Sequence, residues 1–236
     1  MGLANPNTGV TQSKTFVFTP GVVGVRVLDA DHPAGVRKGH FWSYVGYDNT
    51  GQPRDAVLEY APDRKGEHPR TFLEDRRGYV QGDGYQGLDR LFTGPAPPIR
   101  TNVGCHMHFR RYFKEALDAG DLRASIPLQM FQELYAVEAL ATERGANVHQ
   151  RLALRQQHST LILELLHSWI AKQFPSAEPK SPLGQALTYG INQWDSMKVF
   201  LTNGAIPIDN GEVERRIRPL AVGGSLCTSY SSTWNP

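Results

Sequence analysis

Two acids far apart in the chain have the residue type and setting to do chemistry. Asp83 stands at the C-terminal end of a predicted strand, Gly78–Gly82, and is followed by Gly84 and Tyr85. In open α/β sheets, sites gather outside such strand ends, although an aspartate before glycine is also a common turn. Glu214 belongs to the stretch IDNGEVERRIRP, from Ile208 to Pro219. There Asp209 occupies a helix N-cap position with Glu212 three residues on, an acidic form of the capping box. Pro219 is expected to stop that helix. Glu214 and Arg218 are four apart and share a face. Glu212 and Glu214 are two apart, so only one of them can point into a site. A short capped helix with one committed carboxylate can deliver a metal ligand, because hard divalent cations take oxygen donors. On helix chemistry alone, a solvated, salt-bridged surface helix accounts for the same residues. The separation of 131 residues (214 − 83) gives no sign by itself that the two acids meet.

Other metal-type residues read as structural. Cys105-His106-Met107-His108 crowds its ligand types too closely for paired zinc spacing, so Cys105 is expected to be buried and His108 to be structural or to face a phosphate. His149, His158 and His167 recur every nine residues, which is not one helical face, and read as surface residues. Basic residues cluster at Arg110–Arg111, at Arg151 with Arg155, and at Arg215, Arg216 and Arg218. Such clusters can hold phosphates, but each alone is also what a solvated face looks like. The 236-residue chain carries a formal net charge of +2, so it is no polyelectrolyte binder as a whole. Two cysteines are too few for a disulfide framework and fit a reduced, cytoplasmic setting. No apolar run approaches membrane-spanning length.

The elements that must position these residues follow from periodicity. Residues 1–24 read as a loose segment with a short strand at Thr15–Phe18. Val22–Leu28, His40–Tyr47 and Asp55–Tyr60 read as three strands of an antiparallel meander. The second is aromatic on both faces and so belongs in the middle of a sheet. Thr71–Arg76 reads as a short helix, Gly78–Gly82 as a strand, Tyr85–Phe92 as helical, Arg100–Cys105 as a strand and His106–Ala119 as a helix. From Ile126 to Asn203 the chain is nearly all amphipathic helix. One stripe there is Leu161, Ile162, Leu165, Leu166, Trp169 and Ile170, and another is Leu183, Leu187, Ile191 and Trp194. The order predicts an α/β fold, an RNase H-like mixed sheet, with a helical insertion at about 125–204 before the last helix.

Five blocks resemble the catalytic part of the insertion-sequence-66 transposases, a DDE-type family. They are PDRKGEHPRTFL from Pro62, GYVQGDGYQGLDRL from Gly78, GCHMHFRRYF from Gly104, PKSPLGQALTYGINQW from Pro179 and IPIDNGEVERRIRPLAVG from Ile206. The resemblance covers roughly Val25 to Gly223 in the family's order. It implies an RNase H-like core, here 25–223, with three acids, of which the second matches Asp83 and the third Glu214 as catalytic metal ligands. It implies Mg²⁺ or Mn²⁺ as cofactor, and DNA, both transposon end and target, as partner of a homo-oligomer. It places His108, Arg110 and Arg111 on a His-Arg-Arg-bearing helix and adds Arg215 and Arg218 as phosphate-holding candidates. Two ions about 4 Å apart can activate an attacking oxygen and stabilise the leaving one, which is the chemistry of DNA strand cleavage and transfer.

The first acid of that set has no match. Its position falls near Gly21, and residues 1–28 contain neither Asp nor Glu. The next acids are Asp29 and Asp31, and a shift of eight residues along a strand moves a carboxylate by roughly 26 Å. After Gly223 the basic-aromatic continuation of the family gives way to GSLCTSYSSTWNP, read as a disordered tail over 224–236. The expectation is therefore a truncated transposase copy lacking its first acid, with a non-catalytic DNA-binding remnant as the alternative.

Overall fold

The computed structural model describes residues 16–29, 32–93 and 99–222. Strands β1 (Phe16–Leu28), β2 (Val36–Tyr47) and β3 (Pro53–Ala61) form the meander. Helix α1 (Glu67–Phe72) leads to β4 (Gly78–Gly82), a 3₁₀ turn over Gln86–Leu91, β5 (Arg100–Gly104) and helix α2 (His106–Asp118). The helical block follows: α3 (Ser125–Glu143), α4 (Val148–Leu154), a π-helical turn over Arg155–Ser159, α5 (Thr160–Gln173) and α6 (Pro182–Lys198). Helix α7 (Gly211–Val222) ends the described chain. Among the described residues the strands form one five-stranded sheet in the order β3-β2-β1-β4-β5. β1 pairs antiparallel with β2, and β2 with β3, while β1, β4 and β5 run parallel. The α/β class and the mixed sheet are as the sequence predicts.

The period of two along the strands builds two apolar layers. Val17, Val45, Tyr47 and Val103 face the helical block and join Phe109, Phe113, Phe131, Leu166 and Ile170 in one buried cluster. Phe18, Trp42, Tyr44 and Val80 face the other way and pack with Leu73, Leu88 and Leu91. β2 lies between β1 and β3, as its aromatics on both faces require.

Several boundaries differ from expectation, each for a local reason. β1 is one strand through Pro20, not a short strand, a gap and a second strand, so residues 16–24 stand in the sheet and are no loose segment. Pro20 is tolerated because the β1–β4 ladder stops at Phe18↔Val80, so no neighbour on that side asks for its missing N–H. α1 begins at Glu67, upstream of the predicted Thr71. Pro69 falls in its first turn, where a proline costs no hydrogen bond. Pro219 does not stop α7, which continues to Val222. It sits on the exposed side, where water can meet the Arg215 carbonyl that loses its partner. In α5 the buried face is Leu163, Leu166 and Ile170, while Leu161 and Leu165 are 58% and 53% exposed. Seven apolar residues among the ten from Leu161 to Ile170 cover more of the circumference than α3 and α6 can bury. In α6, Gly190 faces the core in place of Ile191, and a Cβ there would meet the Phe109 ring at 2.4 Å. The first fifteen residues and the tail over 224–236 lie outside the described residues.

Candidate functional site

α7 packs on β1 and β2 just past the point where the β1–β4 pairing stops. Three contacts fix that helix over them. The buried Gln81 on β4 donates Nε2 to the Pro207 carbonyl at 2.8 Å. Cys105 Sγ donates to Asn210 Oδ1 at 3.1 Å, and the Asn210 N–H points back at the sulfur at 3.5 Å. His106 Nδ1 lies 3.1 Å from the Ile208 carbonyl, where it is the donor. The expected capping box does not form. Asp209 Oδ1 accepts the Gly211 N–H at 2.8 Å, but Glu212 turns away to Arg215 and Arg216, at 2.6 and 2.7 Å. Two guanidiniums within one turn outcompete a single backbone N–H for that carboxylate. The Arg216 and Arg215 hydrogen bonds hold Glu212 below the usual carboxylate range.

With Glu212 committed elsewhere, Glu214 faces the sheet. It lines a cleft of about 370 Å³ together with Asp83, His108, Arg64, Arg111 and Arg218. Asp83 and Glu214 thus share one site across a separation of 131 residues. His108 Nε2 lies 3.3 Å from Glu214 Oε1, and its Nδ1 lies 3.2 Å from the Cys105 sulfur. Burial, with Arg111 adding to it, pushes the His108 imidazole below the usual histidine range against the opposing pull of Asp83, Glu214 and Asp209. Asp83 is also the turn residue its sequence suggests: its Oδ1 accepts the Tyr85 N–H at 3.0 Å, and its carbonyl accepts from the Tyr189 hydroxyl at 3.0 Å.

The chain Cys105–His108–Glu214 has the outline of a nucleophile, a base and an acid, but the thiol cannot act. Cys105 is fully buried, and burial pushes its pKa up to about 12. Reactive cysteines are partly exposed and shifted the other way. Cys105 and His106 therefore act as the clamp on α7.

Of the sequence-predicted residues, Asp83, Glu214, His108, Arg111 and Arg218 come together. Arg110 and Arg215 do not line the cleft: Arg110 is exposed on another side of α2, and Arg215 is held by Glu212. Arg64 was missed. It lies over the Tyr85 ring at 4.4 Å, and its carbonyl accepts the Tyr85 hydroxyl at 2.8 Å. Its place in the block PDRKGEHPRTFL was the available signal.

Opposite the two acids stand Pro20, Gly21, Val22 and Val23. Continuing the β1–β4 register from Phe18↔Val80 sets Gly21 beside Asp83. A Cβ at Gly21 would meet Val213 Cγ1 at 2.3 Å. Asp29 lies at the far end of β1, paired with Arg37 at 3.1 Å, and Asp31 is outside the described residues. No group of three or more His, Cys, Asp or Glu among the described residues is arranged to hold a metal ion. The donor set in the cleft does not fit a two-ion centre.

Residues 23–234 match the family described as Transposase IS66 family. The chain belongs to this transposase family. An uncharacterized protein, y4hP, of Sinorhizobium fredii (strain NBRC 101917 / NGR234) is 30% identical over 203 residues, which are 78% of this chain and 36% of that protein. A second, y4qI, from the same strain is 29% identical over 195 residues, 78% of this chain and 35% of its own length. The transposase-family chain thus spans about a third of the length of these curated relatives. None of its described helices is long and apolar enough to cross a membrane.

Proposed function

We propose that this chain is an RNase H-like transposase core that engages DNA and does not itself complete the metal-dependent strand cleavage and transfer of a DDE enzyme. Its strand order, with one acid after β4 and one on α7, supports the RNase H-like reading. Gly21, beside Asp83 and covered by Val213, is the observation that carries the loss of chemistry: the position that should supply the first carboxylate has neither the group nor the room. Arg64, Arg111 and Arg218 against Asp83 and Glu214 leave the cleft lining net positive, which favours a phosphate backbone.

A second reading keeps a single Mg²⁺ or Mn²⁺ on Asp83 and Glu214, and it is favoured by their common cleft. Mg²⁺ is often held by one or two carboxylates plus water and phosphate. The test is nicking of supercoiled plasmid in Mn²⁺ by the chain and by its Asp83→Ala variant, with duplex binding measured alongside. DNA binding with no Asp83-dependent nicking is expected. Nicking that disappears with Asp83→Ala would overturn the non-catalytic reading.

A further inference from the structure

β1 and β2 run on past the rest of the sheet. β3 ends at Ala61, opposite His40, and β4 ends at Gly82, so among the described residues Val25–Leu28 and Val36–Gly39 pair only with each other. This is a free two-stranded ribbon of about 13 Å, at 3.3–3.4 Å per residue. Its cross-strand partners share faces, and Arg26 is directly opposite Lys38. Like charges so placed destabilise a ribbon. Arg37, next to Lys38, is paired with Asp29 at 3.1 Å, and no such pair is formed by Arg26 or Lys38 among the described residues. Arg26 and Lys38 line a hollow of about 390 Å³ together with Gly24, Val25, Ala34, Val36 and Arg37. Gly24 opens that face: a Cβ there would sit 3.2 Å from Lys38 Cε, so its absence lets the lysine stem lie across the strand. His40, next on this face, feels Lys38 and Arg64, with Asp63 opposing them, and Arg64 belongs to the cleft rim. Cations thus line both the cleft (Arg64, Arg111, Arg218) and the hollow on the ribbon (Arg26, Arg37, Lys38).

We propose that the hollow between Arg26 and Lys38 is a phosphate-binding site by which the ribbon tracks duplex DNA leaving the cleft. This rests on the DNA-binding reading above and names the surface that extends it. Two cations on directly opposed residues can close on one phosphate or bracket two neighbours. A two-stranded ribbon is also of a width that a DNA major groove admits. Among the described residues no carboxylate forms an ion pair with Arg26 or Lys38, so an external anion would make the arrangement favourable.

The test is binding of the whole chain to a labelled duplex of arbitrary sequence, followed by anisotropy over a range of salt. The Arg26→Ala/Lys38→Ala variant should bind more weakly, and the slope of log K against log salt should fall by about 1–2, since each phosphate contact contributes about 0.9. Arg26→Lys/Lys38→Arg should keep the slope. An unchanged slope in the alanine variant, with the wild-type chain binding duplex, would overturn the ribbon site and leave the DNA reading standing. Wild-type chain that does not bind duplex would overturn both. Binding of phosphatidylserine vesicles that depends on Arg26 and Lys38, with duplex binding indifferent to them, would assign the surface to a membrane and overturn the proposal.

Discussion

His106 shows how one buried side chain couples this fold to pH. Its ring is wholly enclosed, edge-on to Phe200 at 4.7 Å and to Phe131 at 6.3 Å. Burial pulls its pKa down to about 4. The unfolded chain takes up a proton near the ordinary value of 6.5, while the folded chain stays neutral until about 4. Stability contributed by the neutral ring is therefore intact above 6.5 and is lost as pH falls from there towards 4. By pH 5 the loss should reach roughly 2 kcal/mol. His106→Asn keeps a donor near Nδ1 and removes the titration, so its urea midpoint should fall less between pH 7.5 and 5 than that of the wild type. Equal falls would show that other groups carry the dependence. The spacing of Cys105, His106 and His108 excludes a zinc knuckle from sequence. Their clamp on Ile208 and Asn210 was not legible, because it depends on a contact across more than a hundred residues of chain.

The helical block is tied together by one guanidinium. Arg155 begins the π-helical turn between α4 and α5, where the wider turn aims it inward. It donates to both oxygens of Glu138 on α3, at 2.6 and 2.8 Å, and to the Phe200 and Asn203 carbonyls at 2.9 and 3.1 Å. Burial alone would raise the Glu138 pKa, but the Arg155 and Arg151 bonds outweigh it and keep the carboxylate ionised. Arg155→Ala should cost about 3 kcal/mol, because it leaves Glu138 to Arg151 alone and strands the Phe200 and Asn203 carbonyls. Arg123→Ala, which breaks the exposed pair with Asp121, should change stability by no more than about 0.5 kcal/mol. Equal costs in chemical denaturation would sink this account. The helices themselves were legible from their apolar period. The π turn was not, because its cause is a tertiary hydrogen-bond set and not a local residue preference. The same distinction explains β1, where pairing with β2 carried the strand through Pro20 against its local signal.

At the scale of the whole molecule, sheet and helical block share a single core. Val17, Val45 and Val103 from the strands and Phe131, Leu166 and Ile170 from the helices belong to the same buried cluster. The block inserted before α7 is therefore part of the scaffold that sets Glu214 above β4. Tyr189 on α6 even donates its hydroxyl to the Asp83 carbonyl. The two acids could be picked out from their strand end and capped helix, but their meeting required the five blocks in family order. The missing partner was visible as an absence of Asp and Glu before residue 29. What closed that position was not visible, because the contact joins residues 21 and 213.

That contact makes the two positions dependent on the order in which they change. Placing a carboxylate back at Gly21 drives a Cβ into Val213, a stiff, β-branched side chain with no exposed surface. Gly21→Asp by itself should cost about 1–3 kcal/mol by overpacking. After Val213→Ala, the same change should cost at least about 1 kcal/mol less, a coupling that a double-mutant cycle reads directly. Costs that simply add would show that α7 can yield. As the fold stands, the way back to a third acid is a two-step path whose first step lies on α7, 192 residues downstream (213 − 21) of the position it frees.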